Sequence, residues 1–377
     1  MPLRKQLRLQ DYQSMSPILE DRLCHVATNT TSYERAAETA KLFGISTDDS
    51  QIQRLVQRMG KRAEAQVEQR VSRAFDPKGN KEMIHEAKLE LRGKGAFSMV
   101  LMLDGTMLRR RGENWGLKPA SAPGERVAWH ELKAGLVIRI PASAALDASK
   151  PQDTAMAPGA PADPKRKGGR KRKKLPKYYV ASDGGPEVIG RRLYAEALRR
   201  GLEQAKRVYV IADGAVWIWR LAEEHFPGSV GELDFYHASE HLWALARVLH
   251  DGKEEAARAW VAPLLQNLKY RGGGELLSLL EELLKTSEKK KLSAEQHESL
   301  AREATYFHNH KSRLDYPRAK RDGVPLGSGS MESACSQLQG RFKCPGQFWS
   351  RLGERYLLAL DLARRNRDWG EIWAQTA

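Results

Sequence analysis

Short apolar runs recur through the middle of the chain, and each is rich in β-branched or aromatic residues. Their sequences are SMVLMLDGT, VAWHELKAGLVIRI, VYVIADG and GELDFYH, at residues 98–106, 127–140, 208–214 and 231–237. Runs of this length, bounded by glycine and polar residues, are typical of buried strands. Between them lie stretches with the 3.6-residue periodicity of helices. The pattern therefore predicts an α/β fold.

Residues 31–60 have the apolar spacing of two helices joined by a turn at Gly44. This arrangement predicts a helix-turn-helix, whose second helix enters a DNA major groove. A helical hairpin that only packs against the rest of the protein is the alternative. We expect a separate charged helix over residues 61–75. In the DNA-binding interpretation, the second helix would present Gln51, Gln53 and Arg54.

Helical periodicity also fills the later part of the chain. Residues 238–317 are helical in pattern throughout, and a glycine-containing segment then leads into a helix whose first turn carries Glu332. A last helix precedes the motif DWGEIW. We expect four regions: a helical N-terminal region (1–90), the first part of a core (91–237), an all-helical insertion domain (238–320) and the C-terminal part of the core (321–377).

The composition of the 377-residue chain narrows the class of protein. Hydrophobic residues make up 41% and the mean hydropathy is −0.59. No stretch approaches the ~18 uncharged apolar residues of a membrane span, and the first ten residues lack the apolar core of a signal peptide. The three cysteines form no CxxC pair, which favours reduced thiols. We expect a cytoplasmic protein with no membrane partner.

Lys and Arg outnumber Asp and Glu by 63 to 47, a net charge of +16. A surplus of this size predicts a polyanionic partner, because cations that neutralise phosphates release condensed counterions. Residues 165–177, KRKGGRKRKKLPK, hold nine of these cations and no acid. This basic run overlaps the end of a longer stretch, residues 141–176. The Ala, Pro and like charges of that stretch predict a disordered insertion between strands. It is either a tether that attracts phosphate or a solvated loop.

Carboxylates follow two of the predicted strands, at Asp104 and Asp213, and each is followed by glycine. An Asp in this position can simply cap the next helix, and Glu332 can be favoured by its helix dipole alone. Together, however, Asp104, Asp213 and Glu332 supply the hard oxygen ligands that two Mg²⁺ or Mn²⁺ ions require for phosphoryl transfer. A third Asp-Gly pair, at Asp183, fits an ordinary turn.

Four ordered blocks resemble the signatures of a known family. They are LDGT at 103–106, VIADGAVWIW at 210–219, LDFYHASEHL at 233–242 and LGSGSMESACSQL at 326–338. The blocks are similar to those of bacterial insertion-sequence transposases of the Kra group, which are related to Mutator-like elements. The similarity extends over roughly residues 30–373.

The resemblance implies a ribonuclease-H-like mixed sheet flanked by helices, with Asp104, Asp213 and Glu332 as the catalytic, metal-binding triad. It implies that the helices of 238–317 are the insertion domain of such enzymes, and that Asp234 and His237 form an accessory C/DxxH motif. The expected partners are the terminal inverted repeats of an element, its target DNA and further copies of the chain in a synaptic complex. We expect nucleoid association, with Arg341 and Lys343 as additional DNA contacts.

Two other functions fit parts of the sequence. The motif HASEH, residues 237–241, matches the inverted zinc-peptidase pattern, in which His237 and His241 would bind zinc and Glu240 act as base. If the motif is not a zinc site, we expect His241 to hold the insertion domain against the core. We then expect His237 to face the site and contact DNA phosphate. A domesticated or inactive element would bind DNA without cutting it. Trp217, Trp219, Trp243 and Trp349 either stack on unpaired bases or pack in the core.

Overall fold

The computed structural model describes residues 15–116, 125–142, 175–287 and 292–374. Most of the predicted insertion, 141–176, lies outside these residues. Five strands form one sheet in the order β3-β2-β1-β4-β5. Their bounds are β1 (Phe97–Arg111), β2 (Val127–Pro141), β3 (Lys177–Ser182), β4 (Val208–Ala212) and β5 (Val230–Leu233). The predicted α/β class is confirmed.

The sheet is mixed. β1 and β2 form a long antiparallel hairpin, and β3 pairs antiparallel with β2. β4 pairs parallel with β1, and β5 parallel with β4. β1, β3, β4 and β5 therefore all run toward the same edge of the sheet, which we call the carboxyl edge, and β1 continues past it to Arg111.

Helices complete the described part of the chain. The first group is α1 (Pro17–Asn29), α2 (Tyr33–Leu42), α3 (Asp49–Phe75) and α4 (Pro77–Glu90). α5 (Pro186–Arg199) and α6 (Val216–His225) alternate with the strands. A helical stretch follows, with α7 (Phe235–Leu249), α8 (Glu254–Arg271), α9 (Gly274–Thr286), α10 (Ala294–Asn309) and α11 (Tyr316–Arg321). The last three are α12 (Gly329–Phe342), α13 (Arg351–Asn366) and α14 (Trp369–Ala374).

Strand alternation sorts the buried side chains onto two faces of the sheet. Val100, Met102 and Leu108 of β1 join the core formed by α1 to α3, α12 and α13. Met99 and Leu101 face the opposite core, built with α5, α6 and the helices of 235–321. That second core runs without a break from the sheet into the helical stretch. The predicted all-helical segment is therefore packed directly on the sheet.

The N-terminal region departs from the prediction in one respect. α2 and α3 are separated by a turn with Gly44 at φ +73°, as expected, but α3 continues for 27 residues. The separate helix predicted over 61–75 is wrong. Gly60 lies inside α3, where a Cβ atom would stand 2.3 Å from the Tyr356 carbonyl oxygen of α13. The glycine allows two helices to approach closely and does not end one.

Three of the four tryptophans considered for base stacking are core residues. Trp219 and Trp243 belong to the second core, and Trp349 belongs to the first. Trp217 is partly buried against the second core. The three cysteines are free thiols. Within the described ranges, no helix is both long and apolar enough to cross a membrane.

Candidate active site at the carboxyl edge

Three aspartates lie side by side at the carboxyl edge. Met102 of β1 is aligned with Ile211 of β4, so Asp104 and Asp213 occupy equivalent positions two residues further on. Ala212 is aligned with Leu233, which places Asp234 beside Asp213. Because all three strands are parallel, their side chains meet at one end of the sheet. Asp213 follows the end of β4 as the sequence predicts, whereas Asp104 lies within β1, which continues to Arg111.

Asp104 is a partly buried carboxylate with an acidic neighbour. Its Oδ1 accepts a 2.7 Å hydrogen bond from the Gly105 N–H, and the Cys335 thiol also donates to it. Burial raises its pKa, and the negative charge of Asp213 raises it further. His237 lowers the pKa of Asp104, and no Lys or Arg of the described residues forms an ion pair with Asp104. The site thus concentrates negative charge.

Asp213 sits at a sharp turn between β4 and α6. Its Oδ1 accepts a 3.0 Å hydrogen bond from the Ala215 N–H, but Ala215 is the N-cap residue of the helix. Helix capping therefore accounts for only one of the two carboxylate oxygens of Asp213. Gly214 adopts φ +106°, which side chains rarely tolerate, and a Cβ there would stand 3.0 Å from the Tyr306 hydroxyl. The backbone at this turn therefore requires the glycine that follows Asp213.

Asp234 connects the starts of α7 and α12 through hydrogen bonds. It is fully buried, and its Oδ1 caps α7 by accepting from the Tyr236 and His237 N–H groups at 2.6 and 3.2 Å. Its Oδ2 accepts a 2.6 Å hydrogen bond from the Ser328 N–H, at the start of α12. Both oxygens are thus committed to backbone amides. The predicted accessory residue holds α12 in place.

Glu332 and His237 complete the cluster. One oxygen of Glu332, one ring nitrogen of His237 and one oxygen of Asp234 all lie within 4.8 Å of one another, a spacing that suits a metal ion. Ser328 Oγ approaches Glu332 Oε1 at 3.4 Å. Asp104 and Asp213 lie outside this 4.8 Å group, although both act electrostatically on the same region. The fold brings all five predicted site residues to one edge.

The helical stretch reaches into the site through α10. The Tyr306 hydroxyl donates a 3.0 Å hydrogen bond to the carbonyl oxygen of Asp213. Its ring stacks on His241 at 3.8 Å, and His241 Nδ1 lies 2.7 Å from Glu303 Oε2. His241 and both of these partners lie within the helical stretch, so its contacts join α7 to α10, and the seating of this stretch on the core by His241 stays a prediction. These contacts do not favour the zinc-peptidase hypothesis, because His241 is not in the metal-like cluster with His237.

Two site residues were missed by sequence reasoning. Cys335 follows Glu332 by three positions on α12, so helical spacing would have indicated that it faces the same way. Its burial beside Asp104 raises its pKa to about 12, so the thiol stays protonated and can donate. Tyr306 gave no such signal, because an aromatic residue on an amphipathic helix usually indicates core packing.

The predicted DNA contacts have different surroundings. Arg54 is exposed on α3, and Gln51 and Gln53 are partly exposed. Lys343 is partly exposed just after α12. Arg341 is buried, and its guanidinium donates to the carbonyls of Ala27 and Thr31 and lies over the Tyr33 and Trp349 rings. The prediction for Arg341 is wrong, because this cation joins α12 to α1 inside the protein.

The sequence matches no protein-family model, and a search of curated proteins finds no match. The functional conclusion consequently depends on the residues and on their geometry.

Proposed function

We propose that the chain is a DNA transposase with a ribonuclease-H-like core, which cleaves the ends of an insertion sequence and joins them to target DNA. The observation that supports this most directly is the position of Asp104 and Asp213 beside each other at the carboxyl edge, with a Glu332 oxygen within 4.8 Å of an oxygen of the adjacent Asp234. The mixed sheet with a helical core on each face also supports it. The resemblance of the four sequence blocks provides the substrate class.

The donor set fits divalent cations of the Mg²⁺ and Mn²⁺ type. Carboxylate oxygens are the ligands these ions prefer, and the raised pKa of Asp104 reflects burial and repulsion that a bound cation would relieve. Asp104, Asp213 and Glu332 would hold two such ions. When bound, the ions supply charge neutralisation at the phosphate and activate the attacking water or 3′-hydroxyl.

The surrounding residues fix the positions of these carboxylates. Tyr306 holds the backbone of Asp213, Cys335 donates to Asp104, and Asp234 anchors the helix that carries Glu332. His237 is the partly exposed nitrogen donor of the cluster, and we propose that it contacts a phosphate oxygen. Preorganised ligands of this kind cost little reorganisation during the reaction.

DNA binding is the second part of the proposal. The basic surplus of the chain supplies attraction to phosphate, and α3 presents Gln51, Gln53 and Arg54 near its N-terminus as a recognition helix. Two copies of the chain would bring two element ends together. A decayed element that binds DNA without cutting it shares these features and differs in activity.

Plasmid cleavage tests the proposal. The substrate is a supercoiled plasmid carrying the DNA that flanks the reading frame, incubated with Mg²⁺ or Mn²⁺. We expect nicks at the element ends with the unchanged chain and none with Asp213→Asn, which keeps its fold and DNA affinity. Binding without nicking by the unchanged chain would support the decayed element. Nicking that survives Asp213→Asn would contradict the assigned site.

A further inference from the structure

The β1–β2 hairpin extends beyond the carboxyl edge. Its pairing continues from Asp104, opposite Ala134, as far as Arg111, opposite Val127, whereas β4 already ends at Ala212. At 3.3 Å per residue, these seven residues project about 23 Å past the carboxylates. DNA held at the site would pass alongside this projection.

The projecting hairpin carries exposed aromatic rings. Trp129 of β2 is 54% exposed, and Trp115, just after β1, is 40% exposed. Met107 of β1 is 44% exposed and lies on the same face as Arg109, the residue opposite Trp129. By contrast, Trp219, Trp243 and Trp349 are buried. Leaving two indole rings in water forgoes burial that stabilises the fold, which points to a role in binding.

Cations surround these rings. The Arg109 guanidinium lies 5.9 Å from the Trp129 ring centroid and 5.2 Å from that of Phe348. Lys343 Nζ lies 5.5 Å from the Trp129 centroid. The Arg111 guanidinium lies 5.5 Å from the Trp115 ring centroid, and the Trp115 ring packs against Phe348 at a centroid distance of 4.8 Å. We call Arg109, Arg111, Trp115, Trp129, Lys343 and Phe348 the hairpin platform.

Three separate segments build the hairpin platform. The loop after α12 supplies Lys343 and Phe348, and it is fixed to β1 because the Arg109 guanidinium donates to the Cys344 carbonyl at 2.8 Å. The Arg111 N–H donates to the Trp349 carbonyl at 3.0 Å. Glu131, the nearby acid on β2, is already paired with Lys133. The hairpin platform therefore presents aromatic rings and positive charge on a backbone that is fixed by hydrogen bonds.

We propose that the hairpin platform binds unpaired bases of a DNA strand next to the cleavage site. Aromatic rings stack on any base, and adjacent cations attract the phosphates, so this combination suits a single strand. A double helix hides its base faces and could contact only the cations. The inference rests on the proposed function, and it specifies that frayed or single-stranded DNA ends are the bound form.

Fluorescence anisotropy of the full chain in EDTA tests binding apart from cleavage. The probes are a labelled twelve-nucleotide oligothymidylate and a blunt duplex of mixed sequence. We expect Trp129→Ala to weaken oligothymidylate binding about tenfold, from loss of one stacked base. Trp129→Phe should recover most of this affinity. Because Trp129 is exposed, neither variant should change the melting temperature.

Tyr270→Ala is the matched control, because Tyr270 is also exposed and lies under Lys269 and Lys320 but belongs to α8. It should bind the oligonucleotide like the unchanged chain. The inference is overturned if Trp129→Ala binds normally, if Tyr270→Ala loses as much, or if the duplex loses as much as the single strand. If the unchanged chain binds neither probe at low salt, the proposed function fails as well.

Discussion

Two Asp-Gly pairs end strands of the same sheet in opposite surroundings. Asp183, after β3, receives hydrogen bonds from the guanidinium groups of Arg110, Arg351 and Arg355. Asp213, after β4, receives one from a backbone amide and faces Asp104 and His310. Among the described residues, no Lys or Arg side chain forms an ion pair with Asp213 or Asp104.

The difference separates a structural acid from a candidate catalytic one. Burial would raise the pKa of Asp183, but its hydrogen bonds to Arg355 and Arg351 outweigh burial, and the pKa falls well below the usual range. Arginine side chains of the protein therefore balance the negative charge of Asp183. At Asp104 the pKa shifts the other way, and a cation from outside is what would neutralise the site.

The largest expected effect is on catalysis by Asp104→Asn. Loss of a charged metal ligand should reduce metal-dependent nicking by at least about 10²–10³-fold, the range for removing one transition-state stabilising group. The unfolding free energy should stay the same or rise, because a repulsive charge has gone. Nicking assays with thermal melts check both. The comparison breaks if Asp104→Asn unfolds the chain while leaving specific activity intact.

Asp183→Asn should give the reverse pattern. Breaking an ion-pair network around a buried acid should lower the unfolding free energy by about 2–3 kcal/mol, a value reduced for the partial exposure of Arg351 and Arg355. In the unchanged chain, the depressed pKa of Asp183 gives stability that is present at neutral pH and lost as the pH falls below about 4. Denaturant unfolding at pH 7 and pH 3 measures this.

The matching control for Asp183→Asn is metal binding. Mn²⁺ affinity at the carboxyl edge should be unchanged in the folded variant, since Asp183 is already occupied by arginines. A loss of Mn²⁺ affinity equal to that of Asp104→Asn would show that the two Asp-Gly pairs are not distinct in role.

Glu232 is another buried acid, and its surroundings differ from those of both Asp183 and Asp104. It lies in β5 with neither carboxylate oxygen hydrogen-bonded within the described structure, and burial raises its pKa to about 8. The folded state then holds a proton that the unfolded state releases above about pH 4.3, so stability should fall by at least about 1 kcal/mol between pH 5 and pH 8. Glu232→Gln should flatten this dependence. Melting temperatures across that range test it, and an unchanged slope would contradict the assignment.

Tyr306→Phe should produce the smallest effect. It removes the hydrogen bond to the Asp213 carbonyl but keeps the ring that stacks on His241, so the loss should be about 1 kcal/mol, or roughly fivefold in turnover. The binding affinity for duplex DNA should not change. Equal losses in turnover and in DNA affinity would indicate a general structural defect in place of positioning.

The sequence predicted the carboxyl edge well because strand periodicity is a local signal. Continuous apolar runs located β1 and β4. The Asp-Gly pair at Asp213 marks the end of β4, whereas the pair at Asp104 lies within β1, which continues to Arg111. The sequence assigns Asp183 to an ordinary turn, but it does not predict the arginines of β1 and α13 that surround this residue, because those contacts join distant segments. Arg341 was misjudged for a similar reason, since its partners lie more than 300 residues away in α1 and its following turn.

Glycine was the other source of error. The sequence predicts a boundary between two helices near residue 60, but Gly60 lies within α3 and admits the backbone of α13. Such a role depends on a contact between distant segments, which local periodicity does not record. Gly214 was easier to interpret, because the Asp-Gly pair itself predicts a turn.

The hydrogen bond from the Ser328 amide to Asp234 joins positions 94 residues apart and sets an order of events during synthesis. At about 5–20 residues per second, the ribosome needs roughly 5–20 s to travel from one partner to the other. Throughout that interval the helix that carries Glu332 cannot be anchored to Asp234. The cluster of Asp234, His237 and Glu332 can therefore assemble only late in synthesis, after α12 has emerged.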